Sequence, residues 1–405
     1  MNRLKHIILL ITISACSQSV GEKISTSTST IQTAVFEQMA NSELIRHPDP
    51  RLLDFRETPK WEYSNGLVCS AMMRTYEATG KEKFLNYVKF YADSLVREDG
   101  SIKTYKKSDF NIDRINSGKI LFDLYKKTGD EKYRLAIETL RDQMRHQPRL
   151  SSGGFWHKKI YPYQMWLDGL YMGSPFLAEY AKEFNEPALF DDVANQFILI
   201  DSYTWDEEKQ LFYHGYDESR EQKWSNAETG VSPNFWGRAI GWYAMALVDV
   251  LDYLPEDHSK RPQILAIITK MANGLVKYQD EETGLWWQIM DRGGDEGNYL
   301  EASCSSMFSY FFLKAVEHGY LAASYREIAN KSYEGVLDSF IKSNKDGTIS
   351  LTTNCAVAGL GGEPYRDASY EYYVNEPKRD NDPKGVGPFI MASIIYENEK
   401  QESQN

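Results

Sequence analysis

Two carboxylates stand in surroundings suited to acid–base chemistry. Asp113 lies in "NIDRINSG", and Asp168 lies in "YPYQMWLDGLYMG" among Tyr161, Tyr163, Trp166 and Tyr171. Each sits where a helix is expected to begin, so the competing reading for either alone is a first-turn or N-cap acid. In one cavity they become a pair. Desolvation and a neighbouring negative charge raise a carboxyl pKa, and a helix N-terminus lowers it. Such a pair can split into one protonated acid and one ionised partner, the arrangement that glycoside chemistry uses. The flanking rings offer flat apolar faces to a sugar, although core packing explains some of them equally well.

Positive charge for an anionic sugar is available from Arg238 in "FWGRAIGW", His157 and Lys158 in "GGFWHKK", and His214 in "LFYHGYDES". Arg238 leads, because its fork matches a carboxylate. Lys158 reads almost as well as a solvated loop lysine. The two histidines lie beside aromatics in loops, which points to hydrogen bonding. The seven His are scattered without metal-ligand spacing, and Cys69, Cys304 and Cys355 form no Cys-x-x-Cys, so no metal site is expected.

The elements that position these residues are helices. "FLNYVKFYADSL" puts Phe84, Tyr87, Val88, Tyr91 and Leu95 on one face, and "YRLAIETLRDQM" does so with Leu135, Ile137, Leu140 and Met144. "WYAMALVDVL" and "MFSYFFLKAV" are apolar almost all round and predict helices buried on every side. "TGKEK" from Thr79 and "TGDEK" from Thr128 each end one helix on a Gly and open the next with acids. "FNEPAL", "LPEDHSK" and "HGYLAAS" read as the same kind of short turn. Between these turns lie long stretches, 99–110, 146–165, 203–235, 279–300 and 344–385, rich in Gly, Trp, Tyr and Asp.

Short and long connections therefore alternate along about a dozen helices. Stacked pairs place all short turns at one end and all long loops at the other. The expected fold is all-α, a closed α/α toroid with few strands, and its long-loop face is the working face. Asp113, Asp168, Arg238 and Glu301 all fall at the starts of inner helices on that face.

The chain has 405 residues, with 58 acidic against 46 basic side chains and a net charge of -12, which argues against nucleic acid as a partner. "MNRLKHIILLITISAC" reads as a signal ending in a lipobox, so residues 1–16 predict a leader with Cys16 lipidated. Residues 17–32 read as a polar tether and 33–405 as one catalytic domain. The expected location is lipid-anchored, at an outer membrane facing the periplasm.

"WLDGLYMGSPFLAEYA", "FYHGYDES", "FWGRAIGWYAMALVDVLDYLP", "YLEASCSSMF" and "NDPKGVGPF" resemble the unsaturated rhamnogalacturonyl hydrolases, glycoside hydrolase family 105, relatives of the unsaturated glucuronyl hydrolases. "IDRINSG" and "GGFWHK" fit the same pattern, and the resemblance runs from about Trp61 to the end of the chain. It implies an (α/α)6 barrel that needs no cofactor. The implied substrate is a short lyase product with a 4,5-unsaturated uronic acid at its non-reducing end. The enzyme hydrates the C4=C5 bond, and the uronyl unit leaves as a keto acid.

By the same resemblance Asp168 is the proton donor, held protonated near neutral pH, and Asp113 is the second carboxylate that binds hydroxyls and keeps it so. His214, Trp236, Arg238 and Trp242 match positions that contact the unsaturated sugar, with Tyr63, Lys158 and Trp166 beside them. Ala239-Ile240 stands where many relatives have Gly-Asn, which bears on the adjacent subsite. Uronyl–rhamnose fragments of rhamnogalacturonan or of sulfated ulvan are both compatible, with Lys158, Lys159 and Arg114 as candidate sulfate contacts. The alternatives are another α/α-barrel sugar enzyme, an epimerase or conventional glycosidase, and a glycan-binding surface lipoprotein.

Overall fold

A computed structural model describes residues 33–402; the leader, Cys16 and the tether 17–32 lie outside the described residues. Thirteen α-helices occur among the described residues. In chain order they begin with α1 (Val35–Arg46), α2 (Tyr63–Thr79), α3 (Glu82–Leu95), α4 (Lys119–Thr128) and α5 (Glu131–Arg145). Then come α6 (Leu167–Glu183), α7 (Ala188–Thr204), α8 (Gly237–Val250) and α9 (Arg261–Lys277). The last four are α10 (Ala302–Glu317), α11 (Arg326–Phe340), the short α12 (Tyr370–Asn375) and α13 (Pro383–Glu402).

The expected alternation is realised as an (α/α)6 barrel. Gly80 and Gly129 end α2 and α4 in the left-handed region, where their amides return to Tyr76 O and Tyr125 O at 2.7 and 2.8 Å. Residues with a Cβ are strained there. Helices α2, α4, α6, α8, α10 and α13 form the inner ring, closed where α13 packs between α10 and α2. α8 and most of α10 are buried on all sides, as their composition requires.

The outer helices bury one face each. Phe84, Tyr87, Val88, Tyr91 and Leu95 are buried on α3. Fully burying such a side chain contributes roughly 1.5–3 kcal/mol. On α5 the buried face is Tyr133, Ala136, Ile137, Leu140 and Met144. Leu135 falls outside it, a correction to the expected face. Leu135 packs under the turn at Gly100 instead, where an added Cβ would come within 2.4 Å of it.

The sixth outer helix comes from the other end of the chain. α1 lies against α13, and the Glu397 carboxylate accepts from the Val35 and Phe36 amides, both at 3.1 Å. A C-terminal side chain thus satisfies the first orphan donors of the N-terminal helix. Among the described residues, eight short strands form four two-stranded antiparallel ladders, all in connections outside the helices.

Candidate active site

One of those ladders assembles the site. Gln164–Trp166 pairs antiparallel with Gly215–Asp217, with Trp166 opposite Gly215. The Leu167 amide donates to His214 O at 3.0 Å, so the first turn of α6 is held against the His214 loop. Gly215 is required there: a Cβ would lie 2.9 Å from Trp166 Cδ1 and 2.7 Å from Leu360 Cδ1. Asp113 arrives from a 3-10 turn, Ile112–Gly118, that leads into α4. The Ile112 amide donates to His157 O at 3.2 Å, which ties that turn to the loop before α6.

Each carboxylate has its own cationic or donor partner. Asp113 faces Lys158 Nζ at 2.5 Å and His157 Nε2 at 3.1 Å. Lys158 is therefore not a solvated loop lysine. Burial pushes the Asp113 carboxyl up, but the Lys158 ammonium and His157 ring outweigh it and hold it well below the usual carboxylate range.

Asp168 Oδ2 lies 3.0 Å from His214 Nε2, and neither atom has an aligned hydrogen-bond partner among the described residues. Burial raises the Asp168 carboxyl and the Asp113 charge adds a smaller push; His214 pulls harder, and the net shift is downward. The direction runs against the expectation of an acid held protonated, and its cause is the histidine beside Asp168.

His214 is fully buried, and burial lowers its pKa against the pull of Asp168. Its Nδ1 lies 2.8 Å from the Tyr373 hydroxyl. With the ring neutral, this network assigns the proton to Nε2, facing Asp168, and makes Tyr373 the donor to Nδ1.

The aromatic residues form two walls. His157 stacks on Trp166 at 4.4 Å, and Trp166 stacks on Tyr161 at 4.9 Å. Gly169 leaves room for this stack, since a Cβ there would lie 3.0 Å from His157 Nδ1. Across from it, Trp236 lies 4.9 Å from the His214 ring and stacks on Tyr373 at 5.6 Å. Tyr63 opens α2 and meets Trp242 edge-on at 6.2 Å.

The Arg238 guanidinium lies 4.8 Å from the Trp236 ring and is 1% exposed. Its donors reach the carbonyls of Cys355 and Ala356 and the Ser303 hydroxyl. No ion pair to it occurs among the described residues, so this buried cation is held by two carbonyls, one hydroxyl and an aromatic face. Glu301 takes the structural alternative. Its carboxylate caps α10 through the Ser303 and Cys304 amides at 3.0 and 2.7 Å, and it accepts from the Cys355 amide at 2.8 Å. Ala239 and Ile240 are fully buried in the core.

All ten residues singled out for the sugar site belong to this one end of the barrel. Two that matter were missed. Tyr373, in "SYEYYVNEP", is 159 positions from His214. Arg366 donates to the Tyr161 hydroxyl at 2.8 Å and so braces the outer ring of the stack. The only signal for either was a Tyr-rich stretch in a long loop on the working face.

Comparison with known proteins agrees with this architecture. The model for Glycosyl Hydrolase Family 88 matches residues 35–400. A solved glycoside hydrolase of family 105 from C. acetobutylicum ATCC 824 superposes with a TM-score of 0.87 at 45% identity, covering 90% of this chain and 99% of that one. Protein Atu3128 of Agrobacterium fabrum is 40% identical over 227 residues, 55% of this chain and 96% of its own. The unsaturated rhamnogalacturonyl hydrolase YesR of Bacillus subtilis is 26% identical over 317 residues, 77% of this chain and 84% of its own.

Proposed function

The chain belongs to Glycosyl Hydrolase Family 88, and on that premise we propose that it removes a 4,5-unsaturated uronic acid from the non-reducing end of lyase-generated oligosaccharides by hydrating the C4=C5 bond. The observation that carries this reading is the contact of Asp168 with the buried His214 between the two aromatic walls. Hydration needs a group that gives a proton to C4 and takes one from water attacking C5. A carboxyl beside a neutral imidazole can do both.

Substrate completes the acid. The uronate carboxylate brings negative charge, and the sugar displaces the remaining water. Both raise the Asp168 pKa toward protonation. Arg238, buried without an ion pair, accepts the uronate carboxylate in exchange for its weaker carbonyl contacts. Asp113, fixed by Lys158 and His157, receives sugar hydroxyls. After protonation at C4, the Asp168 carboxylate takes the proton of the water that adds to C5. The resulting hemiketal opens, and the uronyl unit leaves as a keto acid.

Among uronyl–rhamnose substrates, the reading favours rhamnogalacturonan fragments over sulfated ulvan. Of the three basic residues considered for sulfate, Lys158 is paired with Asp113 and Arg114 with Glu62 at 3.2 Å, which leaves only the exposed Lys159, beside the Phe110 ring. The match to YesR supports the same choice. Lyase digests of rhamnogalacturonan and ulvan, followed by the ultraviolet band of the C4=C5 bond, test it. Faster loss in the first digest is expected; faster loss in the second overturns the preference. An epimerase, a conventional glycosidase or a glycan-binding protein leaves the band intact in both.

Anchoring by Cys16 belongs to the same reading, with the lipid at an outer membrane facing the periplasm. Cys16→Ser should release the protein from the membrane fraction; unchanged fractionation rejects the anchor.

A further inference from the structure

A second cavity, of about 400 Å³, opens at the short-turn end of the barrel, opposite the loop face. All six inner helices contribute to its lining. Its size falls within the roughly 300–1,000 Å³ of small-molecule sites. The reaction above uses none of its residues.

Most of the lining charges are paired. Lys314 donates to Asp249 at 2.8 Å and to Asp252 at 2.6 Å, and Arg74 donates to the Tyr310 hydroxyl at 2.7 Å. Glu179 is paired with Lys126 at 3.2 Å. These groups satisfy one another. Two on α4 do not. Lys119 Nζ is buried without a hydrogen-bond partner, poised 3.5 Å from the centroid of the Tyr171 ring. Asp123, one turn further on the same face, makes no hydrogen bond or ion pair among the described residues. A buried donor without an acceptor therefore stands about 6 Å along the helix from a half-buried carboxylate that no protein donor occupies.

We propose that this cavity binds a small neutral polyol, such as a monosaccharide, between Lys119 and Asp123. A hydroxyl both accepts and donates, so adjacent hydroxyls complete both groups at once. Charged guests do worse. With Asp249 and Asp252 paired to Lys314, an anion that satisfies Lys119 meets Asp123, Glu77, Glu179 and Glu317, and a cation that satisfies Asp123 meets Lys119 and Arg74. The C–H face of a sugar has apolar wall to cover in Met73, Pro175 and Met391. Burial also moves both groups toward neutrality, Lys119 down to about 7 and Asp123 up to about 6, which weakens any preference for a charged guest. Tyr171 forms the floor, and its ring packs on Trp242 at 5.0 Å, so the two sites stand back to back across one aromatic pair.

Saturation-transfer NMR on the purified protein tests this with D-galactose, L-rhamnose and glycerol as neutral probes, and spermidine and sulfate as charged ones. At least one neutral sugar should bind, with affinity weakened about tenfold or more in Lys119→Met and in Asp123→Asn. A crystal soaked in that sugar should show it between the two residues. Thermal melts of both variants establish that they fold, and either folded variant suffices. Sugar binding equal to wild type in a folded variant, binding of spermidine or sulfate alone, or no binding at all would each overturn the assignment.

Discussion

His214 Nε2 stands 3.0 Å from Asp168 Oδ2, and the other nitrogen of the same ring stands 2.8 Å from the Tyr373 hydroxyl. The acid is thus the end of a three-residue chain whose protonation depends on what fills the pocket.

The chain predicts different pH profiles for free and bound enzyme. The reactive form carries a proton on Asp168, so rates fall as pH rises through its pKa. In the free enzyme that pKa is lowered by His214; in the complex it is raised by the uronate. The basic limb of kcat/KM should therefore lie at lower pH than that of kcat. Coincident limbs would show that substrate does not reset the acid.

Tyr373 is a positioning residue. Tyr373→Phe removes the donor that fixes the His214 tautomer, and kcat should fall by about tenfold, the value of a hydrogen bond to a developing charge. KM should change little, and the basic limb of kcat/KM should move upward as His214 holds Asp168 less firmly. A stability loss with an unmoved pH profile would reduce Tyr373 to a packing role.

Asp113 couples stability to pH. Its folded pKa is depressed, so its contribution is present above its unfolded value of about 4 and is lost as pH falls below it. Asp113→Asn should cost about 2–3 kcal/mol at neutral pH. That is below the roughly 3–5 of a fully buried pair, because Lys158 keeps some solvent contact. The variant's melting temperature should fall less than that of wild type between pH 5 and pH 3, measured by circular dichroism. Parallel falls would remove the ion pair from the account.

Arg238 tests carboxylate recognition. Arg238→Lys keeps the charge and loses the fork, and Arg238→Ala loses both. KM should rise about tenfold or more in each, since a charge-assisted bond is worth roughly 1.5–3 kcal/mol. An unchanged KM in Arg238→Ala would place the carboxylate elsewhere.

Much of the fold is legible in local sequence because its signals are local. Gly80 and Gly129 mark helix ends, and the apolar faces of α3 and α8 mark outer and inner helices. Asp113, Asp168 and Arg238 fall at helix starts that the loop face gathers. What escaped is what depends on distant contacts. Glu397 capping α1 joins the two ends of the chain, and Leu135 turns away from its helix face to meet Gly100. The neighbour of Asp168 escaped for the same reason. A carboxyl among Tyr and Trp reads as desolvated, but strand pairing at Gly215 delivers a histidine that no local pattern around Asp168 contains.

The most direct measurement is the decay of C4=C5 absorbance in a rhamnogalacturonan lyase digest, with wild type and Asp168→Asn compared at matched fold by circular dichroism. The expected result is loss of the band with wild type, and a rate lower by about 10²–10⁴-fold in the variant. A stable band with wild type would contradict the hydration reaction. Equal decay in the variant would remove Asp168 from it.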